Sequence, residues 1–134
     1  MAREILKYQG VSSVSFCVYG QMFSMKNDRR LLKNPRNGKI FSAKGENAER
    51  YVADFCRQVP SQYRGIKLGS AETPLRATVT VVYPSHRQDL DCELVFDCLQ
   101  IAEVIENDRW IIEKHLYASV DPKNPHCQIQ IEEI

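Results

Sequence analysis

The sequence predicts an α+β domain: one mixed four-stranded sheet with two helices packed on one face. Three observations carry this. Residues 76–83, RATVTVVY, alternate so that Ala77, Val79, Val81 and Tyr83 share one face of a strand. Ala48, Tyr51, Val52, Phe55 and Val59 recur at spacings of three and four, as on one face of a helix. The elements then follow in the order strand, long loop, helix, strand, helix, strand, strand. At 134 residues the chain has room for one domain, taken here as 1–134.

The elements read as follows. Residues 11–19, VSSVSFCVY, are β-branched and aromatic with rough alternation, a strand ended by Gly20. Residues 20–43 are rich in Gly, Asn, Pro and basic residues, with PRNG at 35–38 as a turn signal. They read as a long loop. Ser42 to Val59 reads as a helix stopped by Pro60, followed by a polar connection over 60–75. After strand 76–83, Pro84 stops the pairing. Residues 93–105, ELVFDCLQIAEVI, carry apolar residues at helical spacing, broken by ENDR at 106–109. WIIEKHLYASV (110–120) reads as a strand, DPKNP (121–125) as a turn and HCQIQIEEI (126–134) as a returning strand.

Composition excludes several classes. Hydrophobic residues are 43% and charged residues 26%, too apolar for a disordered chain. No apolar run approaches the ~18 residues of a membrane span, and the opening MAREILKYQG has no apolar h-region. The five cysteines are scattered, without a CxxC, which argues against a zinc knuckle and for reduced thiols in a cytoplasm. The net charge of +1 hides a split. Residues 1–88 hold 15 Lys/Arg against 6 Asp/Glu, a balance of +9; residues 89–134 hold 3 against 11, a balance of −8. The stretch 26–50 alone carries 8 basic and 3 acidic side chains, which suits a polyanionic partner.

HRQDLDCE at 86–93 is the segment with most chemical content. Asp89 and Asp91 lie just past a strand, and in an extended chain residues i and i+2 point the same way. Two such carboxylates repel, and a divalent cation would relieve the repulsion. An all-oxygen ligand set favours Mg²⁺, with Mn²⁺ possible, over zinc. Asp108 lies in the next break. A helix folding back along the strand is expected to bring it to the same end of the sheet, completing a three-carboxylate site. Such a site can activate water against a phosphodiester. The alternative is a solvated loop in which Asp91 caps the following helix. No glycine-rich phosphate loop and no GxSxG occurs.

These segments, taken in order, resemble the RusA-like Holliday junction resolvases, the crossover junction endodeoxyribonucleases common in phages and prophages. FSAKGENAERYVADF at 41–55 is similar to that family's S-A-x-G-x-x-Y/F-R helix entry. PLRATVTVVYPSHRQDLD at 74–91 resembles its strand and basic D-x-D. FDCL at 96–99 resembles F-D-A-L, NDRWI at 107–111 resembles D-D-x-x-V/I, and HCQIQIEEI resembles the terminal strand.

The resemblance implies Mg²⁺-dependent endonuclease activity on four-way junctions and other branched DNA, by paired nicks from a homodimer, in the cytoplasm of a bacterial host. It implies Asp89, Asp91 and Asp108 as metal-holding catalytic residues. It also implies Lys26, Arg29, Arg30, Lys33, Arg36, Lys39 and Arg87 as DNA contacts. Four departures stand out. Cys92 replaces an Asn after D-x-D, Val95 stands where the family has a lysine, Asn107 replaces an Asp, and the interval from Asp91 to Asp97 is two residues short. Arg87, Lys44 or Lys114 would have to take the lysine's role. Without one, the chain would be a junction-binding protein that does not cleave, or a phage structural or interaction protein reusing the fold.

Overall fold

In a computed structural model, residues 12–21, 29–33, 35–37, 40–44, 46–86 and 90–134 are described. The sheet is mixed and four-stranded, in the order β1 (Ser13–Tyr19), β6 (His126–Glu133), β4 (Leu75–Tyr83), β5 (Ile111–Val120). β6 runs antiparallel to both β1 and β4, whereas β5 runs parallel to β4. Among the described residues two α-helices, α1 (Glu46–Gln58) and α2 (Glu93–Ile101), complete the expected α+β domain.

Alternation decides which sheet face is covered. Leu75, Ala77, Val79, Val81 and Tyr83 of β4 are buried, as are Val14 and Val18 of β1 and Cys127, Ile129 and Ile131 of β6. They form one core cluster with Ala48, Tyr51, Phe55 and Val59 of α1 and Leu94, Val95, Phe96, Cys98 and Leu99 of α2. Both helices therefore lie on the same face. Phe55 meets Phe16 edge-on, with ring centroids 6.0 Å apart. Truncating so buried a ring to alanine would cost about 3–5 kcal/mol. The Gln58 side chain ties the end of α1 to the end of β1. Its Oε1 accepts from the Tyr19 amide at 2.8 Å and its Nε2 donates to the Tyr19 carbonyl at 2.9 Å.

Three boundaries differ from the sequence reading. Residues 20–43 are not one continuous loop: β2 (Arg29–Lys33) and β3 (Ile40–Lys44) pair antiparallel as a separate two-stranded hairpin. Cross-strand pairing, which RRLLK and IFSAK do not announce by alternation, makes them strands. α1 accordingly begins at Glu46 instead of Ser42. α2 ends at Ile101 instead of 105, because Glu103 turns to φ +59 and Ile105 bridges to Leu68. Val104 and Ile105 are apolar to fill the core beneath that bridge, which mimics a helical spacing in the sequence.

β5 is an edge strand. Only Ile111 is buried in it, and Ile112, Leu116 and Tyr117 are exposed. On the sheet face away from the helices, Arg76 of β4 holds Glu113 of β5 and Glu132 of β6, tying three strands together. Among the described residues no helix is long and apolar enough to cross a membrane.

Candidate functional site: the acidic loop at the start of α2

β4 ends at Tyr83, and α2 starts ten residues later. Arg87 and Asp89, expected in the loop between them, lie outside the described residues. Asp91 is described and is held twice. Its amide lies 3.4 Å from Tyr83 Oη, and its Oδ1 accepts the Glu93 amide at 3.1 Å. The second contact satisfies one of the free amides at the start of α2 from one residue before the N-cap, Cys92, which itself makes no side-chain cap. Burial pushes the Tyr83 hydroxyl up from its ordinary acidity, partly offset by the Asp91 backbone. Tyr83 was not singled out in the sequence, where an aromatic before Pro84 reads only as a strand end.

Asp108 opens a short 3₁₀ turn, Asp108–Trp110. Its amide donates to Gln100 Oε1 at 3.1 Å, in the last turn of α2. Asn107, which replaces the aspartate of the resembled motif, caps this turn: its Oδ1 accepts from the Arg109 amide at 3.0 Å.

The expected return of Asp108 to the Asp91 end does not occur. Tyr83 pairs with Val120 at the finish of the parallel pair, whereas Ile111 pairs with Leu75 at its start. Parallel strands need a link that runs back against them, and α2 is that link. Asp91 is anchored at its first turn and Asp108 beside its last. Nine helical residues span about 13 Å, and ions shared by carboxylates sit ~2.0–2.1 Å from each oxygen. The donor chemistry suits a hard cation, but Asp91 and Asp108 of one copy do not converge on it. Among the described residues no group of three His, Cys, Asp or Glu side chains is placed to hold a metal ion.

A cleft of about 470 Å³ opens beside the acidic loop, lined by Tyr83, Ser85, His86, Ala118, Ser119 and Val120. It sits at the finish of β4 and β5, where open sheets with parallel strands tend to bind ligands. Val95, where the resembled motif carries a lysine, is fully buried in the core, in the first turn of α2.

Of the expected DNA contacts, Arg29, Arg30 and Lys33 lie on β2, and Arg36 is exposed in the turn toward β3. Lys26 and Lys39 lie outside the described residues. His115 bonds Glu113 at 2.9 Å and His126 bonds the Asn124 carbonyl at 2.7 Å, so both are tied to local structure. No protein-family model matches the chain, and no curated protein matches it significantly.

Proposed function

We propose that the chain is a divalent-metal-dependent endonuclease of the RusA-like kind. It would cut branched DNA, four-way junctions foremost, as a homodimer in the cytoplasm of a phage-infected or lysogenic bacterium. The observation that carries the reading is the acidic loop itself. Asp91, in the D-x-D with Asp89, is fixed between Tyr83 and the start of α2, next to a cleft of about 470 Å³. The split in charge supports it, because the basic residues of 26–50 would hold phosphates while the acidic loop supplies oxygen ligands. The order of the family-like motifs along the chain supports it as well.

Mg²⁺ or Mn²⁺ held at the acidic loop by Asp89 and Asp91, without Asp108 of the same copy, would lower the pKa of a water for attack on phosphorus. The reading is tested with a labelled four-way junction, incubated with and without Mg²⁺ and resolved on a denaturing gel. Paired nicks that require the metal support it; no cutting with either Mg²⁺ or Mn²⁺ overturns it. A second reading, a junction binder that does not cleave, is favoured by Val95 lying in the core and by the separation of Asp91 from Asp108. It predicts retarded junction without nicks.

A further inference from the structure

We propose that Lys114 contacts the phosphate cleaved beside Asp91, supplying the positive charge that the first turn of α2 lacks. The inference rests on the nuclease reading above. Lys114 pairs with Ala77, whose side chain is buried on the helix-covered face, so Lys114 rises from that same face. Its Nζ lies 4.8 Å from the centre of the Phe96 ring. The Phe96 amide donates to the Cys92 carbonyl at 3.2 Å, which places Phe96 one turn along α2 from Cys92, the residue after Asp91.

Two cations near Lys114 are committed elsewhere. Arg76 holds Glu113 and Glu132, and Arg109 stacks on Trp110 at 4.4 Å. Lys114 has no carboxylate within ion-pair distance among the described residues; its seat is the Phe96 ring. A ring fixes an ammonium while leaving N–H groups free, whereas a carboxylate would occupy them. An ammonium so held beside an acidic loop is suited to a third, anionic group.

In the cleavage step the oxygen of a water forms a bond to phosphorus, and the bond from phosphorus to one sugar oxygen breaks. That oxygen takes up the proton the water gives up. Lys114 stays protonated throughout and offsets the charge building on the phosphate oxygens.

The test compares wild type, Lys114→Met, Lys114→Arg and Phe96→Leu for junction cleavage, junction affinity and thermal midpoint. Lys114→Met keeps the apolar stem and length. It is expected to lower the cleavage rate by about 10²–10³-fold while affinity changes only a few-fold, since such charge stabilisation acts in the transition state. Lys114→Arg should recover part of the rate, and Phe96→Leu should lose part of it by releasing the ammonium. The inference is overturned if Lys114→Met cuts at the wild-type rate, if its rate falls only as far as its affinity, or if its midpoint collapses. A wild-type protein that binds or cuts no branched DNA would overturn the nuclease reading and Lys114's role with it. Cutting that survives in Lys114→Met overturns the role of Lys114 alone.

Discussion

A β-carbon added at Gly69 would stand 2.8 Å from Leu75 Cδ1, with Trp110 Cβ at 3.3 Å. Gly69 has φ +95 and sits between the Leu68–Ile105 bridge and the start of β4. Two costs combine at this position. Positive φ penalises any β-carbon by roughly 1–2 kcal/mol, and overpacking a buried leucine adds about 1–3. Gly69→Ala is therefore expected to lose about 2–5 kcal/mol in urea unfolding. Gly20 has φ +115 but open space around it, so Gly20→Ala should lose only about 1–2 kcal/mol. Equal losses at the two sites would show that the Leu75 contact relaxes freely.

Val95→Lys separates an incomplete site from a rebuilt one. Placing the family's lysine at this fully buried position puts an ammonium among Leu94, Phe96 and Leu99 without a partner. A charge so buried is expelled or deprotonated, at a cost of several kcal/mol. The expected result is a large fall in thermal midpoint and no gain in junction cleavage. A folded Val95→Lys protein that cuts faster than wild type would mean that α2 can rotate residue 95 out to the loop.

The parts legible in the sequence were those where local pattern and tertiary burial agree. β4 alternates because one face lies under the helices, and α1 shows its buried stripe at Ala48, Tyr51, Phe55 and Val59. The β2–β3 hairpin was not legible, because its strands take their identity from each other and not from alternation. Nor was the end of α2, where Val104 and Ile105 continue the apolar spacing for a different reason. The D-x-D could be found as a motif, but the position of Asp108 depends on β4 and β5 being parallel. No residue near Asp108 encodes that; it follows from β6 returning between β1 and β4.

DNA affinity is expected to fall steeply with salt, with the basic hairpin supplying much of the dependence. Each phosphate contact contributes about −0.9 to the slope of log K against log[salt] on B-form DNA. Arg29, Arg30 and Lys33 lie together on β2. Neutralising all three should flatten the slope by up to about 2–3 units if each touches phosphate. An unchanged slope would assign the hairpin to solvated surface.

Asp91→Asn isolates charge from architecture. The carboxylate accepts the Glu93 amide through Oδ1, and asparagine keeps an oxygen there. The helix start and thermal midpoint should therefore change little. Cleavage should be lost, because an amide is a poorer ligand for a hard cation, while junction binding persists with one negative charge fewer. Asp91→Ala should lose both the activity and about 1 kcal/mol of stability, the usual worth of one hydrogen bond. Wild-type cleavage by Asp91→Asn would restrict Asp91 to holding the Glu93 amide.

Alkaline pH should weaken the fold, starting from the buried thiols. Burial, with Asp91 adding to it, pushes Cys92 up to about 11. Burial likewise raises Cys127 and the hydroxyl of Tyr51 well above their ordinary values. An unfolded thiol ionises near ~8.5 and an unfolded tyrosine near ~10. Above ~8.5 the unfolded chain sheds protons that the folded chain keeps, so the folded state binds more of them and stability falls as pH rises. Below that pH both states are neutral at these groups, and the contribution is complete. Urea midpoints should be level to about pH 8 and decline toward pH 11. Cys92→Ala, though less stable overall, should decline less over the first part of that range, and Tyr51→Phe over the later part. Tyr51 Oη is also buried without a hydrogen-bond partner among the described residues. Removing it should therefore raise stability at neutral pH by up to about 1 kcal/mol. A loss of that size in Tyr51→Phe would reveal a partner for the hydroxyl, and flat midpoints to pH 11 would mean that the thiols ionise without unfolding the core.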